Sequence, residues 1–153
     1  MSTADRRWLE RAIAISHRCP PSEEAYSVGA VLVDGSGVAI ASGYSRETDP
    51  RVHAEEAALE RVPVGDPRLA GATLYSSLEP CSERRSRPHS CVRLILDAGI
   101  PRVVIAWREP DLFVADARGC ELLREAGVTV VEMPELAALA RAPNAHLLSR
   151  RSA

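Results

Sequence analysis

The period of the apolar positions changes several times along the chain, and each change marks an element. Between residues 5 and 18, Trp8, Leu9, Ala12, Ile13 and Ile15 recur at helical spacing, which predicts an amphipathic helix ended by Pro20 and Pro21. Val28 to Val33 is almost wholly apolar, and Asp34-Gly35-Ser36-Gly37 supplies residues tolerant of positive φ before Val38 to Tyr44. That combination predicts a hairpin entering a buried sheet. The stretch from His53 to Arg61 is rich in Ala, Glu and Leu, so a helix is expected to begin near His53. From there strand and helix alternate. Strands are expected at 72–77, 102–107 and 128–132, and helices at 92–98, 117–126 and 134–141, with Gly99 and Gly127 as stops and Pro134 as an opener.

Alternation in the second half requires parallel pairing with right-handed crossovers, while the opening hairpin adds antiparallel strands. The expected class is α/β, with a mixed five-stranded sheet between helices. In such sheets ligands collect beyond the carboxyl ends of the strands. His53 and Cys81 are both placed there by the predicted strand-to-helix junctions.

A chain of 153 residues suits one domain, read here as spanning 1–153. Composition is ordinary for a globular protein, and the formal net charge of -2 supplies no general attraction to a phosphate backbone or an anionic membrane. Nucleic acid is therefore disfavoured as a partner, and the low aromatic content argues against a base-stacking surface. The opening residues, Met-Ser-Thr-Ala-Asp-Arg-Arg, lack the apolar core of a signal peptide, and no run is long enough to span a bilayer. Four cysteines without a secretion signal read as thiols or metal ligands in a reducing compartment, which places the protein in the cytoplasm.

The candidate chemistry lies in His53-Ala54-Glu55, Pro80-Cys81 and Cys91. One imidazole and two thiolates suit a tetrahedral Zn2+ with one position left for water, whose pKa falls towards about 7 on the metal. The helix N-terminus favours thiolate and neutral imidazole. Glu55, two residues beyond the histidine, is placed to act beside the metal as base and then as acid while an amino-bearing heterocycle exchanges its amine for a carbonyl. Taken singly, such a His is most often a cap and such a Cys a small apolar side chain. A structural zinc site would want a fourth protein ligand, for which His89 is the best candidate. Cys19, Cys120, His17 and His146 have no partner pattern, and Trp107 suits either the pocket or the core.

Nine residues separate Cys81 from Cys91, where the common deaminase signature has two. A continuous helix would hold the two about 15 Å apart, whereas sulfurs on one tetrahedral zinc lie within about 4 Å. The intervening chain must loop out, and Cys91 is expected to open the next helix. Arg84, Arg85 and Arg87 in that loop are candidate contacts for a substrate phosphate; solvated arginines are the equal alternative.

These motifs, with Gly71-Ala72-Thr73-Leu74-Tyr75 before Leu78-Glu79-Pro80-Cys81-Ser82 and Asp97-Ala98-Gly99-Ile100 after Cys91, resemble the cytidine deaminase-like superfamily. The nearest likeness is to the deaminase domain of the bifunctional riboflavin-biosynthesis enzyme. The resemblance implies a three-layer α-β-α fold, a homodimer or homotetramer, and a diaminopyrimidinone ribosylamino phosphate as substrate. It covers the deaminase half alone, which is compatible with a separate reductase partner and also permits recruitment to another pathway. Several positions depart from that pattern. Glu24-Ala25-Tyr26 stands where the family has Pro-Asn-Pro, Ser45 where related deaminases carry Asn or His at a substrate-binding position, and Glu109-Pro110-Asp111 where the family has Asp-Pro-Asn. A cytosine, guanine or nucleoside deaminase of specialised metabolism is the runner-up, and a noncatalytic zinc-binding protein the alternative of a different class.

Overall fold

The computed structural model describes residues 2–83, 89–110, 113 and 117–149. The first helix, α1 (Thr3–Ser16), starts where the Ser2 hydroxyl accepts the Asp5 N–H, and buries Leu9, Ala12, Ile13 and Ile15. It lies two residues nearer the N-terminus than its apolar spacing predicts. Strands β1 (Gly29–Val33) and β2 (Ala39–Tyr44) form the expected hairpin. In its turn the Asp34 carboxylate accepts the Ser36 and Val38 N–H groups and Gly37 sits at φ 86°, a left-handed conformation that favours glycine.

Helix α2 (Ala54–Glu60) follows, then a short 3-10 turn (Pro67–Gly71), β3 (Thr73–Ser76), α3 (Cys91–Ala98) and β4 (Arg102–Ile105). The chain continues through α4 (Gly119–Glu125) and β5 (Thr129–Glu132). Cys91 opens α3 as its spacing requires, with the Ser90 hydroxyl capping the Arg93 N–H and Gly99 ending the helix at φ 75°.

The end of the chain departs from expectation. In place of one helix over 134–141 there is a 3-10 turn (Pro134–Leu136) and α5 (Ala137–Arg141), followed by a second 3-10 turn (Ala142–Asn144) and α6 (Ala145–Leu148). Pro143 lacks the N–H and the freedom to continue α5, so the chain tightens and restarts.

The sheet is five-stranded and mixed, in the order β2-β1-β3-β4-β5. Strand β1 runs antiparallel to both neighbours, and β3, β4 and β5 are mutually parallel. Helices α1 and α5 lie together on one face, and α2, α3 and α4 follow one another across the other. Strand β1 is buried along its whole length, as a central strand covered on both sides must be. These are the three layers that the family resemblance implies.

Because β1 alone is reversed, the carboxyl ends of β2, β3 and β4 meet at one edge, together with the entry to β1. Four loops converge there. They carry His53 after β2, Cys81 after β3, Glu109 after β4, and the irregular segment 20–28 leading into β1.

Two close approaches fix the elements that carry His53 and Cys81. A Cβ on Gly43 of β2 would come within 2.6 Å of Ala54 O and Ala58 N, so α2 packs directly on the strand backbone. A Cβ on Gly119 would overlap the Pro80 carbonyl oxygen. The first turn of α4 therefore presses on the peptide that precedes Cys81.

Candidate metal centre and catalytic site

His53 is the N-cap residue of α2, and its backbone N–H is taken by the Glu56 carboxylate at 3.2 Å. The imidazole is thus held outside the helix, facing the strand ends. Cys81 lies in the loop after β3, which is tied to the strand edge by Glu79 N–H donating to Trp107 O at 2.8 Å. The Cys91 N–H points at Cys81 Sγ, 3.2 Å away, and the Val92 N–H donates to Cys81 O at 3.1 Å. The first turn of α3 therefore closes directly onto the earlier cysteine. Helix N-terminal N–H groups aimed at a sulfur favour its thiolate.

His53 Nδ1 lies 3.2 Å from Cys91 Sγ and 3.6 Å from Cys81 Sγ, and the three ligand atoms all fall within 4.8 Å of one another. A tetrahedral zinc with Zn–N about 2.1 Å and Zn–S about 2.3 Å separates nitrogen from sulfur by about 3.6 Å. The donor set and its spacing fit that ion. His89 is exposed and outside the group, so among the described residues the cluster offers three protein ligands. Catalytic zinc sites keep three protein ligands and one open position, whereas structural sites close with a fourth.

The Cys81 thiol is drawn down to about 4, first by hydrogen bonding from Cys91 and then by the His53 imidazole, against the opposing effect of burial. Glu55, in the first turn of α2, is only 4% exposed. Burial pushes its carboxyl up to about 7; the His53 imidazole pulls the other way, and negative charge at Cys81 adds to the rise. A carboxyl that holds or releases a proton near neutrality, beside a three-ligand metal group, has the properties of a general acid and base.

The site opens into a cleft of about 850 Å³ whose lining includes Tyr26, Ser45, His53, Glu55, Cys81 and Glu109. Ser45 is where the sequence places it, on the cleft, but its hydroxyl accepts the Val28 N–H at 3.0 Å. It therefore also braces the entry to β1. Arg84, Arg85 and Arg87 lie outside the described residues. Trp107 falls on the core side, packing edge-on to Tyr26 with ring centroids 5.5 Å apart. Cys19 and Cys120 stay out of the metal group, and Cys120 is fully buried with its N–H on Glu79 Oε2 at 2.8 Å.

The comparisons with known proteins agree with this geometry. Residues 2–107 match the model of the cytidine and deoxycytidylate deaminase zinc-binding region. The chain belongs to this family. Among curated deaminases of this kind, it is similar to the diaminohydroxyphosphoribosylamino-pyrimidine deaminase of Schizosaccharomyces pombe, 40% identical over 127 residues, covering 82% of this chain and 31% of that one. It is also similar to riboflavin biosynthesis protein RibD of Actinobacillus pleuropneumoniae, 40% identical over 129 residues, covering 84% and 32%. The crystal structure of a diaminohydroxyphosphoribosylaminopyrimidine deaminase/5-amino-6-(5-phosphoribosylamino)uracil reductase from Thermotoga maritima superposes with a TM-score of 0.78 at 30% identity, over 95% of this chain and 40% of that one. The chain thus spans about a third of the length of the curated relatives it matches.

Three side chains at or beside the cleft were given no site role by the sequence, although Glu79 lies within the Leu78-to-Ser82 motif and Glu109 at a departure from the family pattern. Glu109 is half-buried in the cleft, and burial together with the negative charge of Cys81 and Glu79 raises its carboxyl to about 7. Glu79 is buried and accepts both the Glu109 N–H at 2.9 Å and the Cys120 N–H at 2.8 Å, joining the loop after β4 to the start of α4. Arg46, at φ 62°, reaches back to Pro20 O, Tyr26 O and the Ser27 hydroxyl. Their position at the strand ends is the only signal, and it emerges once the strand order is known.

Proposed function

We propose that this chain is a zinc-dependent hydrolytic deaminase acting on a small amino-bearing heterocycle, with the diaminopyrimidinone ribosylamino phosphate of riboflavin biosynthesis as leading substrate. The observation that carries the reading is the buried carboxyl of Glu55 beside the His53, Cys81 and Cys91 group in one cleft. These three residues would hold the zinc, which when bound lowers the pKa of a water molecule enough to supply a nucleophile near neutral pH.

Glu55 does the proton work. It accepts a proton from the attacking water, passes it to the ring nitrogen next to the amino-bearing carbon, and supports the second transfer, to the departing amine. A C–O bond forms, the exocyclic C–N bond breaks, and the products are a ring carbonyl and ammonia. Burial serves this role because a desolvated carboxyl keeps its proton affinity near that of the groups it serves. Ser45 and the cleft walls orient the ring.

A cytosine, guanine or nucleoside deaminase is the second reading. It draws support from the cleft lining, where Glu24, Glu83 and Glu109 outnumber Arg46 and Arg51, a balance that suits an amino-bearing base better than a phosphate. No helix among the described residues is long and apolar enough to cross a membrane, and the free cysteines suit the cytoplasm. Homo-oligomeric assembly belongs to the same reading.

Ammonia release from a panel containing the phosphorylated pyrimidine, its dephosphorylated form, cytosine, guanine and cytidine tests both readings. Turnover of the phosphorylated pyrimidine supports the first, and turnover of free bases alone replaces it with the second. A zinc-loaded protein that releases no ammonia from any of them, and is unaffected by Glu55→Ala, refutes the catalytic reading.

A further inference from the structure

One wall of the cleft is formed by the segment leading into β1, which contributes Ser22, Glu24, Ala25, Tyr26 and Val28 to the lining. The segment has no helix or strand of its own. Its backbone groups are met instead by side chains from distant parts of the chain. Arg46 takes Pro20 O and Tyr26 O, the His146 ring lies 2.7 Å from Ser22 O, and the Ser45 hydroxyl takes the Val28 N–H.

The most enclosed of these anchors is Asn144, which is 0% exposed and stands 117 residues from its partner. Its Oδ1 accepts the Ser27 N–H at 2.6 Å, and its Nδ2 donates to Ser27 O at 3.1 Å and to Ala140 O at 3.4 Å. The amide therefore pairs with both backbone groups of one residue, as a neighbouring strand would. A buried amide is stable only where its donors and acceptor are met, so the pairing fixes the wall segment and the Ala142–Asn144 turn in one relative position. Ser27 is the residue between Tyr26, which faces the cleft, and Val28, which is held by Ser45.

We propose that Asn144 is a positioning residue for substrate recognition. By bracketing Ser27 it sets where Tyr26 and the rest of the wall stand against the bound heterocycle, without touching the metal group or Glu55. The inference rests on the deaminase reading for its kinetic consequence, but the pin itself can be observed without turnover.

The test uses the zinc-loaded full chain and two variants. Asn144→Ala removes all three hydrogen bonds; Asn144→Asp keeps the volume and the acceptor but sets a carboxylate against Ser27 O and Ala140 O. Zinc content, amide hydrogen exchange and steady-state kinetics on two panel compounds of different size are compared with wild type. The expected result is unchanged zinc, faster exchange across 22–28 with 54–60 unaltered, KM raised about tenfold with kcat nearly kept, and a changed ratio of kcat/KM between the two compounds. Loss of kcat and zinc together, or an equal fall of kcat/KM for both compounds, would show a merely structural residue and overturn the proposal. So would unchanged exchange at 22–28. Should Asn144→Ala fail to fold, Asn144→Asp is judged by the same criteria. If wild type turns over nothing, the proposed function falls, and the exchange comparison alone decides the pin.

Discussion

Asp5 is an acidic residue in the first turn of α1, only 4% exposed, and its carboxylate reaches across to the sheet. It receives Arg102 Nη1 and Nη2 at 2.8 and 2.6 Å and the Tyr75 hydroxyl at 2.7 Å. The paired guanidinium is the main reason its carboxyl falls from 3.8 to about 2, with burial opposing. At 1.36 kcal/mol per unit that depression corresponds to about 2 kcal/mol, and screening at the partly exposed guanidinium trims it towards about 1–2 kcal/mol. Because the folded value lies below the unfolded one, the contribution is full above about pH 5 and is lost as pH falls through the folded value near 2. Asp5→Asn should therefore destabilise the chain by about 1–2 kcal/mol at pH 7, and by roughly half as much at pH 3, where the unfolded carboxylate is already mostly protonated. Urea unfolding of both proteins at the two pH values measures this, and protonation of the shared metal ligands cancels in the difference. An equal gap at pH 7 and pH 3 would show that packing, not charge, holds Asp5 in place.

Glu55→Gln should retain zinc and fold normally while lowering kcat by about 10²- to 10⁴-fold, as metal analysis and ammonia assay would show; kcat within a few-fold of wild type would exclude Glu55 as the proton carrier. Cys91→Ser should lose zinc to a chelator far faster than wild type, whereas Cys19→Ser should not, because only Cys91 lies in the three-ligand group. Gly119→Val should displace the Pro80 carbonyl oxygen and so Cys81. Weaker zinc retention is expected with only a modest change in melting temperature, and unaltered retention would mean the Cys81 loop is held independently of α4.

The strands, and the clustering of His53, Cys81 and Cys91, were legible because their signals are local. Continuous apolar runs gave β1 and β4, alternating breakers set the crossovers, and the Cys81-to-Cys91 interval required an excursion that the structure accommodates by seating the Cys91 N–H on Cys81 Sγ. The limits of α1 and α4 differ by a residue or two from expectation; for α1 the Ser2 hydroxyl cap, not apolar spacing, decides where the helix begins, whereas α4 starts without a side-chain cap. Asn144, Glu79 and Arg46 were illegible for a different reason. Each satisfies backbone groups of a segment brought near only by the strand order, and no pattern within its own neighbourhood records that partner. Glu109 was read only as a departure from a family motif; its cleft position and raised carboxyl follow from where β4 ends.

The wall held by Asn144, Arg46 and Ser45 has a consequence for divergence. Its residues take no part in the strand ladders, so exchanging Glu24, Ala25 or Tyr26 costs the sheet no hydrogen bond. On the proposed function, a lineage could therefore change what it recognises by altering a few side chains on a pinned loop, while keeping the His53, Cys81, Cys91 and Glu55 group intact. Selection for new substrates and selection for an old reaction then act on separate parts of the same small molecule.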